Sequence, residues 1–66
     1  MLTPSRVKFI ANGPCFARFQ IFTNLVWVEH YTKYGEYRCV DEYEISDAHR
    51  LVSYCESKGY PYVSHV

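Results

Sequence analysis

Three cysteines and three histidines are the residues of this 66-residue sequence that are best suited to metal binding or redox chemistry. They are Cys15, Cys39, Cys55, His30, His49 and His65. No two of them have the short spacing of a zinc finger or a zinc knuckle. Each cysteine falls at an apolar position, where a reduced thiol packs as a small hydrophobe. We therefore expect no metal site and no cofactor.

Two pairs of side chains could suggest catalysis, but neither has the surroundings that catalysis needs. His49 and Ser53 are four residues apart on the polar side of a predicted helix, without an orienting acid or an oxyanion pocket. Glu42 and Glu44 share one face of a predicted strand, without an apolar pocket to divide acid and base roles between them. The three glycines are isolated turn residues rather than a phosphate-binding loop. We therefore predict a protein that is not an enzyme and has no catalytic residues.

The composition indicates one small folded domain over residues 1–66. Hydrophobic residues make up 48% of the chain, and seven Lys and Arg balance seven Asp and Glu. This balance excludes a strongly basic nucleic-acid coat protein and an acidic disordered chain. There is no signal-peptide pattern, and the longest uncharged run, residues 19–28, is too short to cross a membrane. Since the cysteines are odd in number and widely spaced, we expect a cytoplasmic protein without membrane association.

The first half of the chain has the pattern of strands. Residues 6–11 form a β-rich run that ends at the turn signal Asn12-Gly13. In residues 15–23 the odd positions are apolar except for Thr23, which predicts a strand with its odd side buried. Residues 25–32 also favour a strand. Apolar residues occupy both of its faces at the start, so the sequence leaves open which face is buried.

A hairpin is predicted next. Residues 33–36 have the composition of a tight connection, with Gly35 supplying a positive φ. Residues 37–45 would then form the antiparallel return strand. Asp41 interrupts the apolar face of this strand, and a β-bulge near Val40-Asp41 would repair the pattern.

The spacing of apolar residues predicts a helix over about 47–58. Ser46 is the expected N-cap and Gly59 the expected residue after the helix, and a short strand over 62–66 closes the chain. The predicted fold is α+β: a mainly antiparallel sheet of four to five strands with one helix packed on one face, in the order β-β-β-(β)-α-β.

One helix of about three turns, roughly 18–20 Å long, can cover only one face of this sheet. If it covers the side of Phe19 and Ile21, the other side also carries large apolar residues. These are Phe16 and Phe22, with either Trp27 and Tyr31 or Val26 and Val28. A sheet face that meets only water should be polar, and a contiguous apolar surface usually marks a contact site. We therefore expect another chain on this face, and a homodimer and a foreign partner remain equally open.

The predicted hairpin interleaves tyrosine with basic residues around its tip, and acidic residues follow at 41–47. Tyrosine is enriched in interfaces, although ordinary cross-strand pairing explains these tyrosines equally well. The acids could occupy a phosphate-binding groove of a partner, or simply solvate a strand end and a helix N-terminus. The residues predicted to bind the partner are Tyr31, Lys33, Tyr34, Tyr37, Arg38, Glu42, Glu44 and Asp47.

Together these features favour a small non-enzymatic protein-binding module, a regulator or inhibitor that docks on a larger protein or complex. Phage-encoded blockers of host or defence complexes are one group of such free-standing domains. The alternative is a single-stranded nucleic-acid-binding or transcription-regulatory protein, in which the tyrosines would stack on bases beside Lys33 and Arg38. The zero net charge and the acidic run at 41–47 disfavour this alternative.

Overall fold

The computed structural model describes residues 2–13 and 16–66, which build two helices and one four-stranded sheet. The elements are α1 (Pro4–Ala11), β1 (Phe16–Ile21), β2 (Leu25–Tyr31), β3 (Tyr37–Glu44), α2 (Ala48–Lys58) and β4 (Tyr62–Ser64). The strand order is β3-β2-β1-β4, with β1 antiparallel to β2, β2 antiparallel to β3, and β4 parallel to β1. The α+β class is confirmed. Three finer parts of the prediction are wrong. The described residues form two helices rather than one, the sheet is mixed rather than mainly antiparallel, and the element order is α-β-β-β-α-β.

The first element is a helix where the sequence predicted a strand. The Thr3 hydroxyl accepts a hydrogen bond from the Arg6 backbone N–H at 3.3 Å, and Pro4 stands in the first helical turn. Val7 and Ile10 are three residues apart and both are buried against the sheet. The local β propensity of this run is therefore overridden by tertiary packing of a helical stripe.

β1 and β2 turn one apolar face toward the helices. Ala17, Phe19 and Ile21 are buried, as the alternation predicted, while Cys15 and Pro14 lie outside the described residues. The antiparallel register decides the face that β2 buries, since its pairs include Phe19–Val28 and Ile21–Val26. The even positions of β2 are therefore buried and its odd positions point away from the helices.

Both helices pack on the same face of the sheet. Their buried residues form one cluster with those of β1, β2 and the β3–α2 connection. The members are Val7, Ile10, Ala17, Phe19, Ile21, Val26, Val28, Ile45, Ala48, Leu51 and Cys55. We call this side of the sheet the covered face and the opposite side the open face.

The ends of α2 follow from local chemistry. Asp47, rather than the predicted Ser46, is the N-cap, because its carboxylate accepts a hydrogen bond from the Arg50 N–H at 3.1 Å. Gly59 follows the helix at a φ of 73°, as predicted. The N–H of Tyr60 donates to the Cys55 carbonyl in the last turn at 2.9 Å. This hydrogen bond ends the helix, and β4 begins two residues later. None of the described helices is both long and apolar enough to span a lipid bilayer.

A five-residue connection, residues 32–36, joins β2 to β3. The Thr32 N–H donates to the Glu36 carbonyl at 2.8 Å, and the Gly35 N–H donates to the Thr32 carbonyl at 3.0 Å. Gly35 has a φ of 82°, a left-handed conformation that glycine adopts without steric cost. The predicted hairpin and the role of Gly35 are confirmed.

The β-bulge lies beside this hairpin and not near Val40-Asp41, where the sequence predicted it. The pairs on either side of it are His30–Cys39 and Tyr31–Tyr37, so Arg38 is the extra residue. The predicted repair of the apolar face is not needed, because every residue of β3 except Tyr43 is exposed. Asp41 therefore stays on the covered face without being buried.

Candidate functional site

The open face carries aromatic side chains at both ends and polar side chains between them. Its residues alternate along each strand with those of the covered face. They are Phe16, Arg18, Gln20, Leu25, Trp27, Glu29, Tyr31, Tyr37, Val40, Glu42, Glu44 and Val63. Phe22 and His65 follow β1 and β4 at the end away from the hairpin. In the described part of the chain, both helices pack on the covered face, so this surface is exposed.

The first aromatic group lies at the hairpin end, and we call Phe16, Tyr31, Tyr34 and Tyr37 the tip cluster. Phe16 pairs across the strands with Tyr31, whose ring is edge-on to that of Tyr37 at 6.0 Å between centroids. Phe16 is 62% exposed, Tyr37 58% and Tyr34 79%. These rings offer a large contact area at a low cost in side-chain entropy.

Basic side chains flank the tip cluster. The Lys33 Nζ lies 5.2 Å from the centre of the Tyr34 ring, and the Arg18 guanidinium lies 5.8 Å from that of Tyr31. Arg38 is exposed at the bulge. The structure thus brings all five residues predicted at the hairpin to one end of the sheet.

Glu29 organises the polar centre of the open face. Its carboxylate accepts hydrogen bonds from Arg18 Nε at 2.9 Å, Gln20 Nε2 at 3.1 Å and the Tyr31 hydroxyl at 3.4 Å. The hydrogen bond from Arg18 lowers the pKa of Glu29, and the same bond raises the pKa of Arg18. The two charges are therefore present together and neutralise one another at the centre of the face.

The second aromatic group lies at the far end, and we call Phe22, Trp27 and His65 the base cluster. The Phe22 and His65 rings stack at 4.5 Å between centroids, and the Trp27 ring meets Phe22 edge-on at 4.7 Å. Trp27 Nε1 donates to Glu42 Oε1 at 3.0 Å, and His65 Nε2 donates to Gln20 Oε1 at 2.6 Å. Hydrogen bonds thus hold the rings of Trp27 and His65 in place at the surface, and the Phe22 ring contacts both of them.

The predicted acidic residues do not form one patch. Glu42 and Glu44 lie on the open face, at the end of β3 away from the hairpin. Asp41 lies on the covered face, where its Oδ2 is 2.9 Å from His30 Nε2. Asp47 caps α2. The alternation of β3 separates these carboxylates, so only Glu42 and Glu44 act on the same surface as the tip cluster.

The N-cap role of Asp47 predicts how its replacement changes the stability of the protein. Asp47→Ala should lower the free energy of unfolding by about 1 kcal/mol, because the Arg50 N–H loses its acceptor. Asp47→Asn keeps an acceptor oxygen and should change the free energy by only a few tenths of a kcal/mol. Urea denaturation followed by circular dichroism measures both values. Equal destabilisation by the two variants would contradict the capping role.

A His–Asp pair lines an open cavity of about 740 Å³ between α1 and the β2–β3 strands. His30 and Asp41 form this pair, and Ser5 lines the same cavity. The Asp41 side chain is 55% exposed. A setting open to solvent in this way lacks the preorganised, dry environment that gives such groups catalytic strength. Within residues 2–13 and 16–66, no three His, Cys, Asp or Glu side chains are grouped to hold a metal ion.

Sequence reasoning missed the part of the open face that Gln20, Glu29 and His65 contribute. The alternation in residues 16–22 was a usable signal for β1. His65 reaches this face only because β4 lies parallel to β1, where the His65 N–H donates to the Ile21 carbonyl at 2.8 Å. This pairing has no local signature.

Comparison with known proteins returns no relative: no protein-family model, curated protein or solved structure matches this chain. Its function is therefore inferred from the geometry of the open face alone.

Proposed function

We propose that the protein is a small, cytoplasmic, non-enzymatic binding module that docks on a larger protein and regulates or inhibits it. The open face and the hairpin tip form the docking surface. The observation that best supports this is the exposure of large rings, among them Phe16, Tyr37 and the 42% exposed Trp27. They lie on a sheet face over which residues 2–13 and 16–66 place no helix. A sheet face in contact with water alone is expected to be polar, whereas exposed aromatic residues are typical of interface cores.

The charges of the open face favour a protein partner over nucleic acid. Arg18 neutralises Glu29, whereas Glu42 and Glu44 add negative charge beside the base cluster. These carboxylates would repel a phosphate backbone that followed the sheet. A protein with basic residues opposite Glu42 and Glu44 would instead be steered into register with this face.

The tip cluster is the part of the surface that we expect to contribute most to affinity. Antiparallel pairing holds Tyr31 and Tyr37 against each other, and the loop holds Tyr34 beside Lys33. Such preorganised rings lose little conformational entropy when a partner covers them. Tyrosine is also one of the residue types in which the binding energy of interfaces is concentrated.

The test begins with affinity capture from the native host in the presence of nuclease, followed by titration of the purified partner. We expect the double variant Tyr34→Ala/Tyr37→Ala to weaken binding about tenfold or more, since both rings are exposed and neither supports the core. The matched control is Phe9→Ala, which removes a 68% exposed ring of α1. The control should bind within about twofold of the wild type.

Two results would overturn the proposal. One is a double variant that remains folded by circular dichroism and binds its partner as tightly as the wild type. The other is a captured ligand that is single-stranded nucleic acid, with an affinity that falls steeply as salt is raised. The second result would establish the nucleic-acid alternative.

A further inference from the structure

β3 forms one edge of the sheet and is long enough to pair with another strand. It has eight residues, and all of them except Tyr43 are exposed. The opposite edge, β4, has only three residues. In the described part of the chain, the outer side of β3 pairs with no strand. The backbone N–H and C=O groups of an edge strand are a template for strand addition.

We propose that β3 pairs antiparallel with β3 of a second copy of this chain. The resulting two-fold dimer joins two four-stranded sheets into one continuous sheet. Directly opposed residues must point to the same face of the sheet. One residue of β3 therefore lies at the two-fold axis, directly opposite the same residue of the other copy. Only a few registers meet this condition, and each is named by its residue at the axis.

The charges of β3 select one of these registers. An axis at Asp41 or at Glu42 places two identical carboxylates directly opposite each other, which is destabilising. An axis at Val40 instead opposes the two valines, whose side chains are 46% exposed. It also places Arg38 of each copy opposite Glu42 of the other, giving two pairs of opposite charge. The acidic residues thus disfavour the registers with an axis at Asp41 or Glu42, whereas the register with an axis at Val40 is self-complementary in charge.

The length of the free edge favours the same register. Because the bulge puts Tyr37 and Tyr43 on different faces, an axis at Val40 overlaps residues 38–42 of the two strands, whereas an axis at Cys39 overlaps only residues 38–40. The Glu44 carbonyl already accepts a hydrogen bond from the Leu2 N–H at 2.9 Å. A partner strand in the Val40 register ends just before this bond. The open faces of both copies then lie on the same side of the joined sheet. The dimer goes beyond the proposed function and does not depend on it.

Disulfide trapping tests the register. In a Cys15→Ser/Cys39→Ser background, Val40→Cys places two thiols opposite each other at the axis. Opposed residues of antiparallel strands have Cα atoms about 4.5–5.5 Å apart, which is within the range of a disulfide. We expect mild oxidation to convert this variant largely into a covalent dimer. Glu42→Cys in the same background is the matched control and should form little covalent dimer, because its two thiols lie far from each other in this register.

Sedimentation equilibrium tests the charge pairs in the otherwise unchanged chain. Arg38→Glu should raise the dimer dissociation constant about tenfold, and Arg38→Glu/Glu42→Arg should restore it. A wild-type protein that is monomeric throughout the millimolar range, or a Glu42→Cys variant that is trapped more efficiently than Val40→Cys, would overturn the proposal. Neither measurement involves the larger partner, so failure of the dimer and failure of the proposed function are distinguishable.

Discussion

Phe19→Ala should remove about 3–5 kcal/mol from the free energy of unfolding. The Phe19 side chain is completely buried at the centre of β1, and its ring lies 6.4 Å from that of Tyr60. Alanine would leave a cavity between the sheet and α2 that this small core has little freedom to fill. A domain of this length has a total stability of about 3–10 kcal/mol, so we expect the variant to be largely unfolded at room temperature.

Phe16→Ala is the matched control for this experiment. Phe16 lies on the same strand and has the same side chain, but it is 62% exposed on the open face. Its replacement should cost less than about 1 kcal/mol. Urea denaturation, followed by circular dichroism and by the fluorescence of Trp27, gives both free energies. Similar losses for the two variants would contradict the assignment of the two faces of β1.

The second large effect is a loss of stability at alkaline pH that originates at Cys55. Burial raises the pKa of the Cys55 thiol from 9.0 to about 11. As pH rises above 9.0, the thiol ionises in the unfolded chain while the folded chain still holds it neutral. The free energy of unfolding should therefore be unaffected well below pH 9.0 and fall between pH 9.0 and about 11. A shift of this size corresponds to a loss of about 2 kcal/mol.

Cys55→Ala isolates this contribution from the titration of the tyrosines. The variant keeps every tyrosine but has no thiol at the site, so the difference in stability between wild type and variant should narrow across the same pH interval. If the Cys55→Ala difference stays constant with pH, the thiol is not shielded from water.

The second helix strengthens the case for an exposed aromatic surface. A single helix is too narrow to cover both faces of the sheet, and the sequence prediction of an exposed apolar face depends on this. The structure adds α1, yet both helices pack on the covered face. The rings that the sequence placed opposite Phe19 and Ile21 are therefore on the open face, and the register adds Trp27 and Tyr31 to them.

Several parts of this protein were determined by the sequence on its own. The spacing of Leu51 and Cys55 predicts the buried stripe of α2, and Gly59 predicts its end. The alternation in β1 predicts its buried side, and Gly35 predicts the hairpin. These features can be predicted from the sequence because each depends on residues only a few positions apart, where side-chain periodicity and backbone preference act directly.

Only the tertiary structure decided the rest. Residues 6–11 form a helix because Val7 and Ile10 bury against the sheet, although their local propensity favours a strand. The buried face of β2, the place of β4 beside β1 and the division of the acidic run between two faces all follow from strand pairing. Register and packing join residues far apart in the chain, and their free energy exceeds the small local preferences from which a sequence pattern is read.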